Sequence, residues 1–165
     1  MPDIFIGLGA NLDPGKNIRK ALGLLRLYFN EITCSPVYQN AAVGFDGPPF
    51  INLVARFHSS TSAIEVQVIL KQIEHQCGRT KESKRFTSRT MDIDLLLFGD
   101  QISQDGGIHV PRNEILQHAY VLKPLADLYP QGLHPVSKER FIDLWQAMEK
   151  CIETSLLAVR LQNIA

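Results

Sequence analysis

The sequence has no excess of charge of either sign, because its 17 basic residues balance its 17 acidic residues. No overall field therefore draws the chain to nucleic acid or to an anionic membrane, and any electrostatic recognition of a partner must be local. Cysteine is also scarce. Cys34, Cys77 and Cys151 are odd in number and lack the CxxC spacing of zinc or redox sites. We expect them to be free thiols in a reducing compartment.

Long apolar runs are absent too. No run approaches the roughly 18 residues of a membrane span, and the opening "MPDIFIGLGANL" lacks the basic start and cleavage site of a signal peptide. We expect a cytoplasmic protein that binds neither membrane nor nucleic acid. The sequence shows no internal repeat, low-complexity segment or linker, and its 45% hydrophobic content is in the ordinary globular range. We therefore expect residues 1–165 to form one domain and the protein to be a monomer.

What is present is a regular succession of strand and helix patterns. Strand patterns occupy 3–9, 31–38, 50–58 and 90–99, and helical patterns begin near Asn17 and span 62–77. The second helix has the clearest signals, because Ser62 and Glu65 make a capping box and Gly78 can end the helix in the left-handed conformation. This order of elements predicts a ferredoxin-like α+β fold, in which helices pack on one face of an antiparallel sheet.

The remaining patterns are less regular. The apolar strand at 90–99 is expected to be central in the sheet. An extended piece near Ile108 to Val110 and an amphipathic stretch at 113–128 follow, and a helix is predicted from Phe141 to about Leu157.

The stretch "RTKESKRFTSRTMDIDLLLFGD", residues 79–100, combines a basic loop with two carboxylates in an apolar run. Residues two apart in a strand share a face, so Asp92 and Asp94 would project together, about 7 Å apart at the backbone. Two such carboxylates favour a hard cation such as Mg²⁺, with phosphate oxygens completing its shell. Guanidinium groups of the preceding loop would grip the phosphates.

Each of these features has an ordinary explanation when it is taken singly. An Asp-x-Asp pair is common on the solvent face of a sheet, and a run of Lys and Arg is usually a solvated loop. The combination is harder to explain as surface decoration, because the aspartates are framed by Met91, Ile93 and Leu95 and are preceded by Arg89.

The stretch "SRTMDIDLLLFG" also resembles the signature of the 6-hydroxymethyl-7,8-dihydropterin pyrophosphokinase family of the folate pathway. Further segments resemble the family in the expected order: "IFIGLGANLDP", "SPVYQNAAVG", "PPFINLVARF", "IEHQCGR" and "VPRNEILQHAYVLKPLADLYP". The resemblance covers about residues 4–130, which leaves 131–165 as a C-terminal extension.

The resemblance implies transfer of a pyrophosphoryl group from ATP to the hydroxymethyl oxygen of the pterin, with release of AMP. It implies that Asp92 and Asp94 hold two Mg²⁺ ions that bridge the triphosphate, with ATP as co-substrate. The family's catalytic loop corresponds to about 79–89. The loop residues that would close over the phosphates are Arg79, Arg85 and Arg89.

The resemblance implies two sets of binding residues as well. Those that would contact ATP are Lys71, Glu74, Lys81, Phe86, Leu95, Arg112 and Asn113. Those that would hold the pterin are Asn40, Val43, Gly44, Phe50, Asn52 and Tyr120. Phe50 and Tyr120 would stack on the faces of the pterin, and Asn52 would read its edge. Without the resemblance, the two aromatics would be taken as core residues and Glu74 as part of a solvated helix face.

Several positions depart from the family's pattern. Ser88 stands in place of the signature's proline, Thr87 in place of the small residue before it, and Phe86 in place of a tryptophan. Arg112 replaces a histidine near the phosphates, and His118 falls where an arginine is often found. We expect altered ATP affinity, for which Arg112 partly compensates as a permanent positive charge.

Two other functions stay open at this point. A ferredoxin-like domain with a basic loop can bind RNA on its sheet, but that function needs exposed aromatics on the central strands and a basic surface. A paralogue that binds pterin or nucleotide without turnover would keep the same pocket.

Overall fold

The computed structural model describes residues 1–42, 44–78 and 90–152, together with the backbone of 157–158. The strands are β1 (Asp3–Ala10), β2 (Thr33–Cys34), β3 (Tyr38–Asn40), β4 (Phe50–His58), β5 (Asp92–Phe98) and β6 (Leu157–Ala158). The α-helices are α1 (Pro14–Phe29), α2 (Ala63–Gln76), α3 (Ala119–Leu128) and α4 (Phe141–Glu149), and a 3-10 helix spans Asn113–Leu116. The predicted mixture of helices and an antiparallel sheet is confirmed. No helix in the described ranges is long and apolar enough to cross a membrane.

The sheet has the strand order β5-β1-β4-β3-β6, with β2 also paired to β4, and every pairing is antiparallel. The prediction that the apolar strand at 90–99 is central is wrong, because β5 lies at the end of this order. An edge strand can be this apolar when helices cover both of its faces, and that is the case here.

Two hydrophobic layers enclose the sheet. On one face, α1 and α2 pack on alternate strand residues, namely Ile4, Ile6, Leu8, Leu53, Phe57, Ile93 and Leu95. On the other face, α3 and α4 pack on Phe5, Val54, Leu96 and Leu97. The expectation of helices on one face is therefore corrected. The second apolar face needs its own cover, and the helices that follow β5 supply it.

The ends of α2 follow their sequence signals. The Glu65 N–H donates to Ser62 Oγ at 3.3 Å, and the Ser62 N–H donates to a Glu65 carboxylate oxygen at 3.1 Å, which completes the capping box. Gly78 has φ +95°, the left-handed conformation that glycine adopts without strain. The basic segment at 79–89 thus begins directly after the C-terminus of α2.

The predicted last helix is correct in its first half only. α4 ends at Glu149, and β6 pairs with Tyr38 and Gln39 of β3 instead of continuing a helix. This pairing satisfies backbone groups on the outer edge of β3, which a helix would leave unpaired. Cys34, Cys77 and Cys151 are free thiols, as predicted.

Candidate active site

Asp92 and Asp94 project from the same face of β5. They alternate with Ile93 and Leu95, whose side chains are buried against α1 and α2 on the opposite face. Both aspartates are only partly exposed. The site therefore lies on the face that α3 and α4 cover in part. The buried Leu95 side chain points away from this face, so a contact between Leu95 and a nucleotide would have to use its backbone.

Two glycines of β1 make room beside the aspartates. The strand register places Gly9 between Asp92 and Asn52, and Gly7 between Asp94 and Val54. A Cβ added at Gly9 would lie 2.6 Å from Asn52 Oδ1, closer than any real contact allows. The carboxamide of Asn52 therefore lies over the backbone of Gly9, on the side of the sheet that carries the carboxylates.

The surroundings of Asp94 raise the pKa of its carboxyl group. Burial raises the pKa of Asp94 from its ordinary 3.8 to about 6, and the neighbouring negative charge of Asp92 raises it as well. The positive charges of Arg112 and Lys71 act in the opposite direction. A divalent cation at this pair would relieve the repulsion between the carboxylates.

Arg112 contacts Asp94 directly. Its Nη2 lies 3.2 Å from Asp94 Oδ1, and its Nε lies 3.2 Å from a carboxylate oxygen of Glu114. The backbone N–H of Arg112 donates to Leu96 O at 2.9 Å, which fixes this residue beside β5. The next residue, Asn113, is exposed at the start of the 3-10 helix. The position that departs from the family's histidine is thus in contact with the carboxylate pair.

Glu74 is buried, with 3% exposure, although its helix position suggests a solvated face. One carboxylate oxygen accepts the backbone N–H of Ile93 at 2.7 Å, and the other lies 3.2 Å from Lys71 Nζ. The interpretation of Glu74 as a solvated residue, which the sequence favours without the resemblance, is therefore wrong. The hydrogen bond to β5 explains why a carboxylate is retained there.

The predicted pterin residues from β3 and β4 lie on the same face as Asp92. The Asn52 side chain is 9% exposed, and its Nδ2 donates to Asn40 Oδ1. Phe50 lies two residues before Asn52 in β4, projects from the same face and is partly exposed. Gly44, in the loop before β4, is exposed.

Tyr120 lies in the first turn of α3. Its ring stacks on the ring of His118, with 4.9 Å between centroids and an interplanar angle of 12°. His118 precedes the helix as its N-terminal cap residue.

Several predicted site residues lie outside the described residues. They are Val43, Arg79, Lys81, Arg85, Phe86 and Arg89. Within the ranges 1–42, 44–78 and 90–152, no group of three or more His, Cys, Asp or Glu side chains could hold a metal ion.

The sequence model of the family described as 7,8-dihydro-6-hydroxymethylpterin-pyrophosphokinase (HPPK) matches residues 5–130 of this chain. The chain belongs to the HPPK family. It is 35% identical over 131 residues to the 2-amino-4-hydroxy-6-hydroxymethyldihydropteridine pyrophosphokinase of Pseudomonas aeruginosa, covering 77% of this chain and 80% of that protein. The enzyme of the same name from Bacillus subtilis is 31% identical, with 77% and 78% covered.

Solved structures show the same fold. A crystal structure of HPPK-DHPS in complex with substrates superposes with a TM-score of 0.70 at 13% sequence identity, covering 90% of this chain and 44% of that one. Wild-type Plasmodium falciparum HPPK-DHPS with pteroate gives a TM-score of 0.71 at 13% identity, with 88% and 42% covered. The chain thus spans less than half the length of these HPPK-DHPS chains.

The structure of this HPPK-family chain adds residues that sequence reasoning missed. Phe45 meets Phe50 edge to face, with 6.2 Å between ring centroids. Asn11, 4% exposed at the end of β1, donates from Nδ2 to Pro48 O at 3.1 Å. Both contacts fasten the loop before β4 to the site. The sequence could have indicated Asn11, because it is a polar residue directly after a buried strand. It contains no comparable signal for Phe45.

A side-chain hydrogen bond connects β3 to α3 in this HPPK-family chain. The Tyr38 hydroxyl donates to Asp127 Oδ2, and Lys123 Nζ lies 2.7 Å from the other oxygen of that carboxylate. Burial and the hydrogen bond to Asp127 raise the pKa of Tyr38. The helix that carries Tyr120 is thereby fixed to the strand that carries Asn40.

Proposed function

We propose that this chain transfers the pyrophosphoryl group of MgATP to the hydroxymethyl oxygen of 6-hydroxymethyl-7,8-dihydropterin and releases AMP, as a step of folate biosynthesis. Family membership and relatives named as the pyrophosphokinase support the reaction. One observation carries the assignment of the site, namely that Asp92, Asp94 and Asn52 share one face of the sheet across Gly7 and Gly9.

We propose that Asp92 and Asp94 hold two Mg²⁺ ions. The donor set fits this metal, because Mg²⁺ binds proteins through one or two carboxylates and keeps its other positions for water and substrate phosphates. The perturbed pKa of Asp94 also indicates a pair of like charges that a cation would stabilise. Bound there, Mg²⁺ would neutralise negative charge on the triphosphate.

The nucleotide would be held by side chains around this pair. On this proposal, Lys71 and Arg112 approach the phosphates as cations, and Asn113 offers an exposed polar side chain. Glu74 contributes indirectly, because its carboxylate accepts the backbone N–H of Ile93 in β5. The basic segment after α2 would supply the remaining contacts, from Arg79, Lys81, Arg85, Phe86 and Arg89.

The pterin would lie between Phe50 and Tyr120, whose rings offer flat apolar faces to a flat heterocycle. Asn52 would recognise its edge. Because Asn52 donates from Nδ2 to Asn40, its Oδ1 is directed toward Gly9 and can accept an N–H of the pterin. The backbone of Val43 and Gly44 would complete the pocket.

The protein then contributes mainly by aligning the two substrates, and no covalent bond to the protein is required. The hydroxymethyl oxygen attacks the β-phosphorus in line and loses its proton to water, the bond from that phosphorus to the bridging α–β oxygen breaks, and AMP leaves with the bridging oxygen. Holding the two substrates on one rigid sheet face brings the reacting atoms together without further entropy loss, and the nearby cations stabilise the charge that develops.

Further features of the chain belong to the same proposal. The strand order β5-β1-β4-β3 supports a ferredoxin-like fold, and residues 131–165 would be a C-terminal extension of the single domain 1–165. We also propose a cytoplasmic monomer that binds no nucleic acid. RNA binding on the sheet is not favoured, because one face is covered by α1 and α2 and the other carries two aspartates and α3.

The test is AMP formation by the purified chain with MgATP and 6-hydroxymethyl-7,8-dihydropterin, with substrate binding followed by calorimetry. Asp92→Asn and Asp94→Asn should each abolish most turnover, whereas Asp100→Asn, an exposed residue just after β5, should not. Near-normal AMP production by Asp94→Asn would contradict the metal assignment. A wild-type protein that binds pterin but forms no AMP in a single turnover would instead be the paralogue without turnover.

A further inference from the structure

The guanidinium of Arg112 lies between two carboxylates that come from different parts of the chain. Asp94 in β5 is 3.2 Å from its Nη2, and Glu114 in the 3-10 helix is 3.2 Å from its Nε. All three side chains are about one-third exposed, at 28% for Arg112, 31% for Asp94 and 33% for Glu114. Arg112 is therefore in direct contact with one carboxylate of the pair, and it lies where water and substrate can reach it.

We propose that Arg112 is an exchangeable internal counter-cation: it pairs with Asp94 in the metal-free protein, leaves Asp94 when a divalent cation binds there, and then pairs with a phosphate of the nucleotide. This inference rests on the proposed function and deepens it, because it assigns Arg112 a positioning role for both the metal and the nucleotide.

A divalent cation and the Arg112 guanidinium would compete for Asp94 Oδ1. A divalent cation at Asp94 must approach its carboxylate oxygens to about 2.0–2.1 Å if it is Mg²⁺. The guanidinium already occupies the region around Oδ1. Two cations that contact the same oxygen repel each other at short range. The guanidinium is held there only by a partly exposed ion pair, so it is the cation that is displaced.

The side chain of Arg112 can move while its backbone stays in place. Its backbone N–H is held by Leu96 O at 2.9 Å, so the residue stays beside β5. Its Nε contacts Glu114 and its Nη2 contacts Asp94, so the two carboxylates use different nitrogens of the guanidinium. Rotation about the side-chain bonds can therefore release Asp94 while Glu114 keeps the positive charge near the site.

Arginine is chemically suited to this exchange. A guanidinium stays charged at any physiological pH and presents several donors in a planar fork that matches phosphate oxygens. The group released from Asp94 is thus suited to a phosphate. Removing it should have opposite effects on the two ligands: a metal ion alone should bind more tightly, and the nucleotide should bind more weakly.

The experiment measures Mn²⁺ binding by electron paramagnetic resonance without nucleotide, and α,β-methylene-ATP binding by calorimetry with saturating Mg²⁺. Arg112→Gln should bind Mn²⁺ roughly fivefold more tightly, the ratio expected when a partly exposed ion pair no longer competes, and should bind the nucleotide analogue more weakly. Lys71→Gln is the charge control, because it removes a positive charge near Asp94 that belongs to an ion pair with Glu74. Its effect on Mn²⁺ should be clearly smaller.

Two more variants make the outcome decisive. Arg112→Lys keeps the charge, so its Mn²⁺ affinity should stay near that of the wild type even if Arg112→Gln is poorly folded. Asp94→Asn should lose Mn²⁺ binding. Suppose that Asp94→Asn loses Mn²⁺ binding but Arg112→Gln binds Mn²⁺ like the wild type, or no more tightly than Lys71→Gln. The proposed exchange of Arg112 is then wrong, whereas the assignment of the metal site to Asp94 is supported. If Asp94→Asn binds Mn²⁺ normally, the metal assignment in the proposed function fails as well.

Discussion

The carboxylate of Glu74 accepts the backbone N–H of Ile93 at 2.7 Å, midway between the two aspartates of β5. β5 is the end strand of the described sheet and pairs there with β1 alone, so the N–H groups of its outer edge need partners from elsewhere. Glu74 supplies one from α2. The helix on one face of the sheet is thereby joined to the strand segment whose carboxylates project from the other face.

Glu74→Ala should destabilise the protein and also reduce AMP formation. The change leaves the buried N–H of Ile93 without its acceptor, at a cost of about 1–3 kcal/mol in the free energy of unfolding, and loosens the segment that carries Asp92 and Asp94. Urea unfolding and a turnover assay measure the two effects. Glu65→Ala is the matched control in the same helix: it breaks the capping box but should leave kcat unchanged. Equal loss of kcat in both variants would show that general destabilisation is responsible.

The pKa of Asp94 leads to a prediction about metal-free stability. Burial and the charge of Asp92 raise this pKa to about 6, so folding favours the protonated carboxyl and disfavours the charged one. The cost is absent below the ordinary pKa near 4, grows as the pH rises from about 4 to about 6, and is complete above 6. Asp94→Asn removes it. With a chelator present, Asp94→Asn should therefore be more stable than the wild type at pH 7.5, by on the order of 1 kcal/mol after solvent screening, and the gap should close toward pH 4. A wild-type protein that is the more stable of the two at pH 7.5 would contradict this.

Much of the framework could be predicted from the sequence because its signals are local. Alternation placed Asp92 and Asp94 on one face, and the Ser62 and Glu65 pair located the start of α2 to the residue. These features depend on backbone periodicity and on contacts within four residues.

Long-range features could not be predicted from the same patterns. A continuous apolar run indicates burial on both faces but does not distinguish a central strand from an edge strand under two helical layers, so the position of β5 was missed. The burial of Glu74 was missed for a similar reason. Its partner, the N–H of Ile93, is 19 residues away and becomes available only because β5 is an edge strand.

The basic segment after α2 yields a prediction about kinetics. Arg85 and Arg89 lie outside the described residues, so their role rests on charge, on position and on the family resemblance. If they contact the phosphates mainly in the reacting state, Arg85→Ala and Arg89→Ala should lower kcat more than they weaken binding of α,β-methylene-ATP. Steady-state kinetics and calorimetry give the two quantities. Parallel losses in both would indicate a static nucleotide clamp.

Gly9→Ala tests the pterin side of the site with a single methyl group. The new Cβ would lie 2.6 Å from Asn52 Oδ1, so the carboxamide must move away from the position that Asn40 helps to fix. Pterin binding should weaken by about tenfold or more, the loss expected when a polar contact worth about 1.5 kcal/mol is displaced, whereas nucleotide binding should change little. Gly7→Ala is the matched control in the same strand, because the nearest atom to its Cβ would be a Leu96 methyl carbon at an ordinary 3.5 Å. Calorimetry with the pterin measures both variants. If Gly7→Ala and Gly9→Ala weakened pterin binding equally, the space over Gly9 would not be the determinant, and Asn52 would lose its proposed role at the pterin edge.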